Sequence, residues 1–198
     1  ISITKQSGDI AEAAVEFTAG FRPDTKRLER NIYTHSSCGI CSKPTLESIE
    51  VRAPSLENQP HPVLSAHTLY ELPKMLRATQ LNFAQTGGIH AAALINQEGL
   101  CISTMEDVGR HNAVDKLIGK ALLENQLPLN HQALLLSGRG GFELIQKAHV
   151  AGIPMVIALG APTTMAISLA HQMGMTLVGF LKNGRFNIYT HPHRIGSS

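Results

Sequence analysis

ALLLSGRGGFELIQKAHVAGIPMVIALGAPTTMAISLAHQMGMTLVGF, residues 133–180, decides the fold. Ala133 to Ser137 opens it as a continuous apolar run, the pattern of a strand buried on both faces. A helix over Phe142 to Ala151 follows and stops at Gly152. Met155 to Leu159 is a second buried strand, Thr163 to Met173 a second helix closed by Gly174, and Thr176 to Phe180 a third strand. This alternation dictates right-handed crossovers and a largely parallel sheet with helices on both faces.

Towards the N-terminus the pattern continues. His111 to Glu124 places Val114, Leu117, Ile118, Ala121 and Leu122 on one helical face. Ala91 to Asn96 and Leu100 to Met105 flank Gln97-Glu98-Gly99, as the arms of a hairpin do. Ser65 to Gln80 reads as a helix capped by Ser65, with Leu69, Leu72, Met75 and Leu76 recurring and Pro73 predicting a kink or break. Towards the C-terminus, Lys182-Asn183-Gly184 is a turn into a last strand, Phe186 to Tyr189, and the tail from His191 to Arg194 is expected to be exposed. The stretch Arg52 to Pro62 holds three prolines and reads as a linker. It divides an N-terminal portion, residues 1–62, from an α/β domain, residues 63–198. Within the N-terminal portion, residues 13–19 and 45–51 read as strands and the charged run at 24–30 as a solvated turn or short helix.

The bulk numbers exclude several classes. At 198 residues, 43% hydrophobic and 16% charged, the chain suits one well-buried domain, with or without a small extension. A formal charge of +2 with no run of Lys or Arg argues against nucleic acid and against a membrane surface. No apolar run reaches the roughly 18 residues of a membrane span. A chain that begins at Ile1 is expected to be a fragment. Its three cysteines make no disulfide framework, so a reducing cytoplasm is expected.

In open α/β sheets ligands bind at the carboxyl ends of the strands. Here the loops at those ends are small and polar. Ser137-Gly138-Arg139-Gly140-Gly141 opens a helix with three glycines and a guanidinium, which suits an anion, although the same residues also suit a tight strand–helix turn. Gly160-Ala161-Pro162-Thr163-Thr164 repeats the arrangement with Thr163 as N-cap. Before the helix at 111 stands Glu106-Asp107-Val108-Gly109-Arg110-His111-Asn112. Helical spacing puts His111 with Asp115 and Asn112 with Lys116, while Asp107 suits a cap. Thr86-Gly87-Gly88-Ile89-His90 reads as a tight turn presenting an imidazole, which suits either a structural histidine or a group facing the same rim. Side by side, these loops favour a nucleotide-like or phosphate-bearing ligand. Cys101, inside a strand, reads as an inert core residue.

The remaining cysteines, Cys38 and Cys41, form a C-x-x-C on a small-residue loop, residues 36–43. Structural zinc needs four ligands, and no second pair is present, so scattered histidines would have to complete it. A thioredoxin-type pair belongs at a helix start after a strand, and Pro44 follows here instead. The third reading is an exposed thiol that carries sulfur as a persulfide.

Ser37-Cys38-Gly39-Ile40-Cys41, Thr86 to His90, Glu106 to Lys116, Ser137-Gly138-Arg139 and Ala151-Gly152-Ile153-Pro154 occur together and in order. This set resembles the FdhD/NarQ family of formate dehydrogenase accessory sulfurtransferases over roughly residues 36–189. The resemblance implies a three-layer α/β/α sandwich with a largely parallel mixed sheet, similar to cytidine deaminase. It implies that sulfur passes from a cysteine desulfurase onto the C-x-x-C loop, with Cys38 as carrier and Cys41 as its partner. The sulfur then goes to the bis-guanine-dinucleotide molybdenum (or tungsten) cofactor, bound as a substrate, for use by formate dehydrogenase. The family's cofactor-binding segment maps onto Phe180-Leu181-Lys182-Asn183-Gly184-Arg185, and the rim adds Gly138, Arg139, Arg110, His111 and His90. A homodimer without a permanently bound metal is expected. Ser42 stands where the family often has Gly, and the N-terminal region is short by comparison. Two other readings differ in class. A non-catalytic cofactor-insertion chaperone would use the cysteines only structurally. A zinc-dependent deaminase needs His-x-Glu and Pro-Cys-x-x-Cys, but Ala92 and Ser37 occupy the decisive positions.

Overall fold

The computed structural model describes residues 19–21 and 54–196. The chain forms two compact units, Ile1–Glu50 and Val51–Ser198. Cys38, Cys41, the loop at 36–43, the charged run at 24–30, the strand read at 45–51 and all but Ala19 of the strand read at 13–19 lie outside the described residues.

In the second unit, β1 (Leu64–Ser65) leads into α1 (Ala66–Thr79) and α2 (Leu81–Thr86). A hairpin follows, β2 (His90–Ile95) and β3 (Cys101–Asp107), then α3 (Arg110–Leu123), β4 (Ala133–Leu136), α4 (Phe142–Val150), β5 (Met155–Ala158) and α5 (Thr164–Gln172). A second hairpin, β6 (Thr176–Lys182) and β7 (Arg185–Thr190), precedes a 3-10 turn at Pro192–Arg194 and β8 (Ile195–Gly196). The six-stranded sheet runs β3-β2-β4-β5-β6-β7. Its centre, β4-β5-β6, is parallel, as the crossovers require, and the flanking pairings are antiparallel.

Strand alternation divides the core into two layers. Ala133, Leu135, Met155 and Ile157 face α1, packing with its Leu69, Leu72 and Leu76. Leu134, Leu136, Val156 and Ala158 face α3, α4 and α5. This is the three-layer α/β/α sandwich with a mixed sheet. Each fully buried leucine of α1 contributes about 2 kcal/mol. Ser65 Oγ accepts from Thr68 N at 3.0 Å, which is the predicted N-cap. The helix continues through Pro73 as one element instead of breaking there. Burial of its leucine face outweighs the single backbone hydrogen bond that proline removes.

Two further differences arise from long-range contacts. The α2 helix has no side-chain cap of its own, but Glu106, on β3, accepts from Asn82 N at 2.8 Å and Phe83 N at 2.9 Å. In the tail expected to be exposed, Pro192 and His193 are exposed, but Arg194 is completely buried. Its two terminal guanidinium nitrogens donate to Leu56 O at 2.8 Å and Thr176 Oγ1 at 3.1 Å, while Nε is buried without a partner among the described residues. Cys101 is half-buried, its Sγ 3.1 Å from Thr104 Oγ1.

Residues 54–59 form a strap along the body. Leu56 is buried in the core and its N–H bonds Met173 O at 2.9 Å. The strap crosses Gly174, where φ is +70° and an added Cβ would lie 2.4 Å from Glu57 N. Gly174→Ala is therefore expected to cost about 3 kcal/mol, combining left-handed strain with backbone overlap. Urea unfolding measures it, and a loss under about 1 kcal/mol would contradict this close approach.

Candidate functional site

Strand direction gathers the site. The parallel strands β4, β5 and β6 end on one side of the sheet, with Leu136 beside Ala158 and Ile157 beside Val178. Because β2 runs antiparallel to β4, its first residue, His90, starts at that side, paired with Asp107 at the end of β3. Ala91 and Ser137 are joined there by two hydrogen bonds, Ala91 N to Ser137 Oγ at 2.8 Å and Ser137 N to Ala91 O at 3.0 Å.

The glycine loops are stitched together through their backbones. Gly160 N donates to Gly138 O at 3.0 Å, Gly140 N to Ala161 O at 3.2 Å and Thr163 N to Gly140 O at 3.1 Å. Thr163 caps α5 by accepting from Ala166 N at 3.2 Å. A Cβ on Gly138 would stand 3.2 Å from the His90 ring, and one on Gly160 would meet the Gly138 carbonyl at 3.0 Å. Small residues are required at both positions because the loops lie against each other and against His90. Phe180 N continues the contact, donating to Gly160 O at 3.0 Å with φ at +56°.

The sequence-expected residues fall into distinct places. His90 and Gly138 touch, and Arg139 is exposed beside them. Lys182, Asn183, Gly184 and Arg185 form the β6–β7 hairpin, with Asn183 and Gly184 both at positive φ, as its two-residue turn needs. Phe180, Lys182 and Arg185 line a shallow depression of about 370 Å³ with Asn187. Leu181, by contrast, is buried in the core layer under α1, so its side chain does not reach that depression. Arg110 and His111 begin α3 at the same end of the sheet. His111 Nε2 lies 2.5 Å from Glu143 Oε2, and Lys147 Nζ donates to Asp115 Oδ1 at 2.5 Å, so one face of α3 lies against one face of α4. Burial pushes the His111 pKa below its ordinary value, and Glu143 opposes that shift.

The other polar face of α3 holds the loop before it. Asp107 accepts from Gly109 N at 2.9 Å and Asn112 Nδ2 at 3.1 Å, and pairs with Lys116 Nζ at 2.6 Å. The Lys116 hydrogen bond is the main reason its carboxyl pKa lies at about 2. Asp107 is thus an anchor of the loop.

A larger depression, about 530 Å³, opens between α1–α2 and the start of β2. Its lining includes His90, Ser137, the nearly buried Gln80 and Gly88. The Arg77 guanidinium lies 3.9 Å from the Phe83 ring centroid, presenting a planar cation at the mouth. Arg77, Gln80 and Phe83 had no place in the sequence-level site, because α1 reads as an amphipathic helix and α2 carries no cap signal. The adjacent Thr86-Gly87-Gly88-Ile89-His90 turn was their only pointer. Among the described residues, no carboxylate pairs with Arg139, Lys182 or Arg185. Among the described residues the rim therefore offers cations without a carboxylate partner and, at Arg77 and Phe83, a stacked planar pair. This is the chemistry that holds phosphates and planar bases.

The FdhD/NarQ family matches residues 1–196. The chain is 50% identical over 169 residues to the sulfur carrier protein FdhD of Streptomyces avermitilis, covering 85% of this chain and 60% of that protein. The protein of the same description from Streptomyces coelicolor is 46% identical over 182 residues, covering 91% and 64%. The chain thus spans about three-fifths of the length of these relatives. Among solved structures it is similar to a protein from Desulfotalea psychrophila described as a formate dehydrogenase accessory protein. The TM-score there is 0.61 and the identity 31%, covering 70% of this chain and 62% of the other.

Proposed function

The chain belongs to the FdhD/NarQ family, and from that membership we propose that it is a persulfide-carrying sulfurtransferase serving formate dehydrogenase. In this reading the Cys38 thiolate attacks the terminal sulfur of a cysteine desulfurase persulfide. The desulfurase thiolate leaves, and Cys38 keeps the sulfane sulfur with no net redox change. Cys41 is the second thiol and receives that sulfur by the same exchange. The acceptor is the bis-guanine-dinucleotide molybdenum or tungsten cofactor, bound as a substrate. The proposed setting is the cytoplasm, and the proposed assembly a homodimer. Among the described residues no helix is long and apolar enough to cross a membrane.

The observation that carries the cofactor half of this reading is the set of cations around the glycine loops that meet no carboxylate among the described residues. Lys182 and Arg185, with Phe180 and Asn187 beside them, suit phosphates. Arg139 at the start of the α4 loop adds a further donor. The Arg77–Phe83 pair and Gln80 suit the flat face and polar edge of a base. Incubation of the protein with a cysteine desulfurase and cysteine, followed by intact-mass measurement, is expected to show one added sulfur atom that a thiol reductant removes. A protein that never gains that mass under desulfurase turnover would favour a chaperone that binds cofactor without carrying sulfur.

A further inference from the structure

Gln80 is the one residue between α1 and α2, and it is only 6% exposed. Its backbone is engaged, the N–H donating to Arg77 O at 3.3 Å and the carbonyl accepting from Ala84 N at 3.1 Å. Its side chain stands at the N-cap position of α2 but does not cap that helix. Glu106 takes the role from β3, through the N–H groups of Asn82 and Phe83. The Gln80 carboxamide is therefore left without a hydrogen-bond partner among the described residues. Buried side-chain amides of native chains are nearly always hydrogen-bonded, so this one stands out.

That carboxamide lines the larger depression, whose volume of about 530 Å³ falls in the range of small-molecule sites. Most other polar groups on the wall are donors. Ser137 Oγ already accepts from Ala91 N at 2.8 Å, which leaves its O–H to donate. Arg77, stacked on the Phe83 ring, carries only N–H groups. No Asp or Glu lines the depression, and the Glu106 carboxylate is occupied by α2. The Gln80 carbonyl and one nitrogen of a neutral His90 ring are the side-chain acceptors.

Such a wall suits a flat ring whose edge carries a carbonyl beside an N–H. The carboxamide meets this lactam edge with two hydrogen bonds, its N–H to the ring carbonyl and its oxygen from the ring N–H. Ser137 and Arg77 then serve the remaining lone pairs of the ring edge. A carboxamide can turn over to meet an amino edge equally well, so the surrounding donors set the preference. An amino group in place of the carbonyl would turn its own N–H groups towards them.

We propose that this depression is a subsite for an oxo-heterocycle, with Gln80 as the residue that reads its lactam edge. Guanine and pterin rings share that edge. The inference rests on the cofactor half of the proposed function and names the part of the ligand that this wall recognises.

Calorimetric titration of the full chain tests it with matched probes. These are GMP and IMP against AMP, 6-hydroxymethylpterin against its 4-amino counterpart, and inorganic pyrophosphate. In at least one pair the oxo compound is expected to bind about tenfold tighter than the amino compound, and that pair identifies which ring sits here. Gln80→Met is expected to cancel the preference and leave pyrophosphate binding unchanged. Methionine is of similar length and needs no partner, so the Tm of the variant is expected to equal or exceed that of the natural chain. Equal binding of oxo and amino compounds in both pairs would overturn the proposal. So would a preference that survives in Gln80→Met, or a marked fall in its Tm, which would mean that the carboxamide serves the fold. Tight GMP binding that ignores Gln80 would remove the subsite and leave the cofactor reading standing, whereas no binding of any probe would remove both.

Discussion

Cys38→Ala is expected to abolish sulfur loading and activation of formate dehydrogenase. Alanine offers no thiolate to attack the sulfane sulfur, and the chemistry has no substitute within the exchange. The expected fall in activation is about 10³-fold or more, the scale seen when a nucleophile is removed. Cys41→Ala is expected to keep the adduct and lose efficiency in delivery. The pair of variants separates carrier from partner, which the C-x-x-C spacing cannot do because it is symmetric in the two thiols. Intact mass after desulfurase treatment reads loading, and formate oxidation reads delivery. Full activation by Cys38→Ala with the extra sulfur on Cys41 would reverse the assignment. Full activation by the double variant would remove the cysteines from the chemistry and leave a cofactor chaperone.

Arg194→Met is expected to destabilise the second unit by about 3 kcal/mol, the upper end of the range for leaving buried neutral acceptors without their donor. Methionine fills much of the space along the side chain but donates nothing. The Leu56 carbonyl, 2.8 Å from the guanidinium, and Thr176 Oγ1, at 3.1 Å, then lose a charged donor. Thr176 Oγ1 still donates to His191 O at 2.6 Å, so the main penalty falls on the strap carbonyl. Urea unfolding followed by circular dichroism gives the change. A loss below about 1 kcal/mol would mean that water replaces the guanidinium and that the tail does not bind the strap.

The strap also marks where sequence and structure part. Residues 54–62 carry prolines and few apolar side chains, which is linker composition, yet Leu56 is in the core and Glu57 crosses Gly174. One leucine and one glycine separated by more than a hundred positions leave no periodic trace. The same holds at the site. The loop glycines were legible because a strand–loop–helix pattern announces them, and their close packing against His90 and against each other fits that pattern. Leu181 sat inside a motif-derived segment but is a core residue, because alternation along β6 turns it inward under α1. The Arg77–Phe83 pair was missed because a polar residue near a helix end is ordinarily solvated.

What the sequence by itself determined is local and periodic. It specified the alternating strands and helices of residues 133–180, both hairpins, the Ser65 and Thr163 caps, and the glycine loops at the strand ends. These follow from backbone preferences and from the burial period of each element, which act within a few residues. Only the tertiary structure decided that Glu106 starts α2, that Arg194 clamps the strap, and that α3 joins α4 through His111 with Glu143 and Asp115 with Lys147. Each of these depends on a charge finding a partner far along the chain. Burial then decides the outcome, because a buried charge is stable only where the folded chain brings it donors or acceptors.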